Sequence, residues 1–187
     1  MKLPDILVPT YVQMLRALSA WLGKAEVQKS GKAAEALLVA RLAPDMFPLS
    51  TQIRLACVQA QEGMFRVRGQ AFPPSIKELL EEGRNAAERP GSIVDARARI
   101  AETIAIVEAA ADAPEMPVPT LIAHVLPQGK VFDLTAEQYV RDWTLPQFYF
   151  HVMTAYAILR AKGIQVGKAD YVAHIFPYLR ADSPPSQ

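Results

Sequence analysis

The sequence predicts an all-α protein: an antiparallel four-helix bundle with long crossovers and a small β-hairpin before the last helices. Three observations carry this expectation. Apolar residues recur at three- and four-residue spacing in long segments near 5–28, 50–67, 92–110 and 146–162. Proline, glycine and capping residues punctuate the intervals between them. A turn sequence at 126–129 joins two short runs and signals a hairpin over 120–134.

Each element has its own local reason. Tyr11, Met14, Leu15, Leu18 and Leu22 form the stripe of the first helix, and Ser30-Gly31 ends it. The run 33–42 reads as a short helical piece that stops at Ala43-Pro44, because the residue before proline avoids helical angles. Ser50 is placed as an N-cap for the second long helix, with Ile53, Ala56, Cys57, Ala60, Met64 and Val67 as its core stripe. After the break at 72–75, Ser75 and Glu78 make a capping-box pattern for a charged, peripheral helix. Pro90-Gly91 resets the chain. Ser92 opens the third long helix, whose stripe is Ile93, Ala96, Ile100, Ile104 and Val107. Pro114, Pro117 and Pro119 make 112–119 a loop. In the hairpin, Pro127 is preset for a turn and Gly129 is free to take positive φ. Thr135 and Gln138 pattern another capping box, and the helix they open is expected to break or kink at Leu145-Pro146. Gly163 is a stop for the fourth long helix. The tail ending DSPPSQ is expected to fray.

The chain has 187 residues, 51 % of them hydrophobic, enough for one domain with a sizeable core. A formal net charge of +1 gives no electrostatic footprint for nucleic acid or an anionic membrane. The lone cysteine, Cys57, excludes an internal disulfide and fits a reducing compartment. Pro4, Asp5 and Pro9 interrupt the N-terminus where a signal peptide carries a continuous apolar stretch. The uncharged run 143–159 is shorter than the roughly 20 apolar residues of a membrane span. These features together predict a soluble cytoplasmic protein with neither nucleic acid nor membrane as partner.

The most informative stretch is 145–168. No charged residue lies between Asp142 and Arg160, so this helix is apolar nearly all round and belongs inside the protein. His151, with Gln147 one turn before it on the same face, marks a polar spot in that interior. Buried polar groups need partners. The spot is read either as a hydrogen-bonded core pair or as the floor of a pocket, with Ala155 leaving space beside the imidazole.

Three stretches carry a family resemblance: ILVPTYVQMLRALSAWL near the N-terminus, ARLAPDMFPLSTQIRLA at 40–56, and LPQFYFHVMTAYAILRAKGIQVGKADY at 145–171. On these the chain resembles a bacterial domain-of-unknown-function family within the DinB/YfiT-like superfamily. The resemblance implies a bundle domain over 1–172, with 173–187 as a C-terminal extension and 72–91 longer than usual. It also implies a divalent metal held by three histidines, two as H-x-x-x-H on the last long helix and one on the second helix. Here the carry-over is partial. His151 matches the second histidine of the pair, and the first falls on Gln147. No histidine lies between 50 and 67, where Gln52 and Gln59 are the polar candidates. The metal triad is therefore absent as such, which counts against the superfamily's metal-dependent thiol-transfer chemistry here.

Other candidates are weaker. His124, His151 and His174 would have to converge from distant segments to hold a metal. Asp45, in the link before the second helix, could approach His151, or else cap a turn or pair with Arg41. Cys57 lies on the core stripe and reads as a small apolar residue rather than a reactive thiol. Phe148, Tyr149, Phe150 and Tyr156 read as core aromatics. No Walker loop, dinucleotide fingerprint or zinc-type cysteine pattern occurs. The candidate pocket is thus His151, Gln147, Gln52, Asp45 and Gln59. The favoured expectation is a homodimeric binding or structural bundle with a degenerate metal site, no cofactor, and a small apolar ligand. The alternative is an enzyme, metal-dependent or not, with a partial site around His151.

Overall fold

The computed structural model describes residues 2–112, 118–126 and 128–180. The expectations for Pro114, Pro117, Pro127 and the tail from 181 lie outside those residues. Four long helices form the bundle, α1 (Leu3–Gln28), α2 (Leu49–Val67), α4 (Ile93–Asp112) and α5 (Leu145–Ala161), with a shorter α3 (Pro74–Asn85) between α2 and α4 and the hairpin strands β1 (Ile122–Val125) and β2 (Val131–Leu134) before α5. A helical turn, Lys32–Glu35, and a 3-10 turn, Ala36–Val39, lie in the first crossover. The helices follow the expected stripes, and the stripes point inward. Leu18, Ile53, Ile100 and Ile158, one from each long helix, are all at most 1 % exposed in one shared core. Burying such a side chain contributes about 1.5–3 kcal/mol relative to leaving it in water, so four facing stripes define the bundle.

The hairpin pairs antiparallel with Ile122 opposite Leu134 and His124 opposite Phe132. Gly129 takes φ +80°, a conformation that a residue with a Cβ strongly resists. Ile122 and His124 turn inward, and His124 packs at 4.1 Å between ring centroids against Trp143. Thr135 and Gln138 form the reciprocal capping box that their spacing predicts. Ser92 and Asp95 do the same at the head of α4. Gly163 ends α5 at φ +81°, with Ile164 N–H bonded to Leu159 O at 3.0 Å and Gly163 N–H to Arg160 O at 3.0 Å, a Schellman closure.

Three local expectations are corrected. Pro48, not Ser50, caps α2. Ser50 lies inside the first turn, and its hydroxyl donates to Ala86 O at 3.0 Å, tying α2 to the end of α3. The capping box at Ser75 and Glu78 does not form, because Pro74 starts α3 directly from Pro73. A proline at the first helical position needs no donor there and presets φ. Of the break or kink expected at Leu145-Pro146, the break does not occur. Residues Ala136–Gln138, a π-helical segment Tyr139–Thr144 and α5 follow one another with helical angles at both junctions. The wider π turn absorbs the constraint that Pro146 places on the residues before it.

The π segment is fixed by a buried polar contact. Thr144 Oγ1 donates to Gln59 O at 3.3 Å and accepts from the Tyr11 hydroxyl at 2.8 Å. Gly63 of α2 makes room for it: a Cβ there would lie 2.3 Å from the Tyr11 oxygen and 2.6 Å from Thr144 Oγ1. Beyond α5, residues Lys168–Tyr171 turn back onto α1. Trp21 Nε1 donates to Asp170 O at 3.3 Å, and the Trp21 and Tyr171 rings stack at 5.9 Å.

Candidate functional site

The polar spot on α5 meets the first turn of α2. His151 is 7 % exposed, and its Nδ1 lies 2.8 Å from Gln52 Oε1. Gln52 is itself held, because its Nε2 donates to Phe47 O at 3.2 Å. That carbonyl can only accept, so the amide NH2 must face it and Oε1 must face the imidazole. An amide oxygen cannot donate. Nδ1 therefore carries the proton, and His151 is the neutral Nδ1–H tautomer with a lone pair on Nε2. Nε2 makes no hydrogen bond among the described residues. Burial pushes the imidazole pKa down to about 4, since desolvation penalises the charged form. The N-terminal turn of α2 beside it, the positive end of a helix dipole, acts in the same direction.

The other candidate residues do not join this pair. Gln147 is half-buried and makes no hydrogen bond among the described residues. Asp45 is exposed and forms neither an ion pair nor a hydrogen bond there. Its expected partner Arg41 instead donates to Met46 O. The buried Oε1 of Gln59 has no hydrogen-bond partner among the described residues, and its backbone carbonyl serves Thr144. Cys57 is fully buried, and burial raises its thiol pKa to about 12, so it is a core residue. Among the described residues no three His, Cys, Asp or Glu side chains converge to hold a metal ion.

The structure adds residues that the sequence reading passed over. Phe47 orients Gln52 through a backbone atom, which leaves no side-chain signal. Phe150, expected among the core aromatics, is instead 54 % exposed and stands edge-to-face with His151 at 5.3 Å, at the rim where α5 meets solvent. Gly63 did leave a signal: a glycine inside a helix costs about 1 kcal/mol relative to alanine and so asks for a packing reason.

The chain is a helical bundle in which two long helices meet at a buried histidine and a glutamine, and comparison with known proteins bears on the bundle as a whole. The family described as "Domain of unknown function (DUF1993)" matches residues 3–172. The chain belongs to this family. It is also similar to the crystal structure of a DinB family member protein from Shewanella denitrificans, with 30 % identity, a TM-score of 0.70, and coverage of 98 % of this chain and 96 % of that one. No curated protein matches. The metal that the superfamily implies does not fit the residues present. A borderline transition metal wants nitrogen or sulfur donors, whereas this position offers one imidazole nitrogen beside amides. The one amide that reaches the imidazole, Gln52, is already spent on it and on Phe47.

Proposed function

We propose that this protein is a small-molecule-binding or structural bundle in which a neutral histidine–glutamine pair replaces the superfamily metal. The supporting observation is the bond from His151 Nδ1 to Gln52 Oε1, anchored in turn on Phe47. It fixes a bare Nε2 as a hydrogen-bond acceptor. Phe47 and Phe150 beside it are 52 % and 54 % exposed. The ligand that suits this setting is small and largely apolar, with one hydroxyl or N–H for Nε2. Exposed rings of this kind also suit a contact between two copies of the chain, so a homodimer is part of the proposal. The free, buried thiol of Cys57 suits the cytoplasm. Reading residues 173–187 as an extension is supported by the family match ending at residue 172, while the similar crystal structure covers 98 % of the chain. Among the described residues, no helix is long and apolar enough to cross a membrane.

Plasma emission analysis of freshly purified protein tests the metal part of this reading. The expected result is far less than one transition metal per chain. A stoichiometric metal that disappears in His151→Ala overturns it. Titration with phenol, a minimal ring with one hydroxyl, tests the ligand part: the His151 and Phe150 ring resonances should move together and saturate.

The bare Nε2 is also what a general base would present, which supports the enzymatic reading. An imidazole with a pKa near 4 is a weak base at neutral pH, however, and Asp45 is not there to raise it. The binding reading is therefore preferred.

A further inference from the structure

α2 carries polar side chains on opposite faces. Gln52 meets α5. Gln61, nine residues later at about 100° per residue, points the other way, toward α4. Gln61 is 2 % exposed. Its Nε2 donates to Thr103 Oγ1 at 2.9 Å, and its Oε1 is buried with no donor among the described residues. An acceptor left this way costs roughly 1–3 kcal/mol, so it asks for a donor. Gln61 lines a recess of about 50 Å³ shared with Glu78 and Leu79 of α3 and with Arg99, Glu102 and Ile106 of α4. Glu78, Arg99 and Glu102 also line a wider cleft of about 670 Å³ between α2, α3 and α4, a volume in the range of small-molecule sites.

The charges of this cleft are unequal. Its lining carries five carboxylates and three guanidiniums, a net of two negative charges. Arg99 is bound to Glu82 and Glu102, and the buried Arg54 lies 3.7 Å from Glu82. Asp95 is engaged by Ser92. Glu78 and Glu81 form no ion pair among the described residues. A metal ion is a poor occupant, because no three acidic, His or Cys groups converge there. An alkylammonium is a good one. It has three N–H donors, and the residues lining the recess carry three acceptor groups, those of Gln61, Glu78 and Glu102. Leu79 and Ile106 supply apolar wall for methylenes, and a second ammonium balances the remaining charge at Glu81.

We propose that the cleft between α2, α3 and α4 binds a short aliphatic diamine or oligoamine, with one ammonium seated in the recess on Gln61, Glu78 and Glu102 and the other at Glu81. This site is separate from the His151 pair and does not depend on the function proposed there.

Calorimetric titration of the full chain with 1,4-diaminobutane at fixed ionic strength tests it, with butylamine and magnesium chloride as comparators. The expected result is saturable binding at one site, tighter than for butylamine. Glu78→Gln and Gln61→Leu should each weaken it by about tenfold, since a charge-assisted hydrogen bond is lost. Gln61→Glu should tighten it. Glu81→Gln should weaken the diamine and leave butylamine unchanged. Circular dichroism confirms that each variant is folded, and the Glu78 and Glu81 variants carry the test if Gln61→Leu is not. No saturable heat up to about 10 mM, a Kd weaker than any useful site, overturns the proposal. So does unchanged affinity in Glu78→Gln, or displacement of the diamine by an equal concentration of magnesium.

Discussion

Gln52 Oε1 stands 2.8 Å from His151 Nδ1 across 99 residues of sequence. This pairing sets the tautomer of the histidine, and burial keeps the ring uncharged. At neutral pH the proton is expected on Nδ1, the reverse of the usual preference of a free imidazole. Long-range nitrogen–proton NMR spectra distinguish the two, and a protonated Nε2 contradicts the arrangement. Gln52→Leu leaves the Nδ1 donor buried without an acceptor, so it should cost about 1–3 kcal/mol in denaturant melts.

The depressed pKa of His151 gives stability a pH dependence of known sign. In the unfolded chain the imidazole titrates near 6.5, whereas in the fold burial holds it at about 4. Between these values the unfolded state binds more protons, so stability is fully present above about pH 6.5 and is lost as pH falls toward 4. The loss attributable to His151 should reach about 3 kcal/mol at most. Melts of wild type and His151→Gln from pH 7 to pH 4.5 measure it as the difference in slope. A wild-type slope no steeper than the variant's means that His151 is solvated.

Gly63→Ala should destabilise the protein although alanine is the better helix former. The added methyl meets the Tyr11 hydroxyl and Thr144 Oγ1, and overpacking of this kind costs about 1–3 kcal/mol. Combining it with Tyr11→Phe removes the nearer oxygen, so the double variant should lose less than the sum of the two single losses. Strict additivity in denaturant melts would separate Gly63 from that contact.

Truncation to alanine at Leu18, Ile53, Ile100 or Ile158 should cost about 2–5 kcal/mol each, because all four are buried in one core. Losses below about 0.5 kcal/mol at all four would mean that these stripes do not face one another.

The four long helices were legible because a helix writes its buried face into the chain at a period of about 3.6 residues, and the stripes through Leu18, Ile53, Ile100 and Ile158 keep that period. The cap at Thr135 and the stop at Gly163 were legible for a similar reason, since each is set by backbone groups within a few residues. Helix starts were less legible where a tertiary partner competes for the same side chain. Ser50 has the right chemistry for a cap, but Ala86 O takes its hydroxyl. The fate of Pro146 depended on Tyr11 and Gly63, which hold Thr144 from other helices.

The site divides along the same line. The sequence alone determined that His151 lies on a buried helix and that the superfamily's other two histidines are missing. It named Gln147, Gln52, Asp45 and Gln59 together and could not choose among them. Only the tertiary structure selected Gln52 as the partner, left Asp45 in solvent and turned Gln61 toward a cleft on the opposite face. Periodicity fixes which face of a helix is buried. Which polar atoms then meet depends on the rotation and offset of one packed helix against the next, and these arise from the whole core at once.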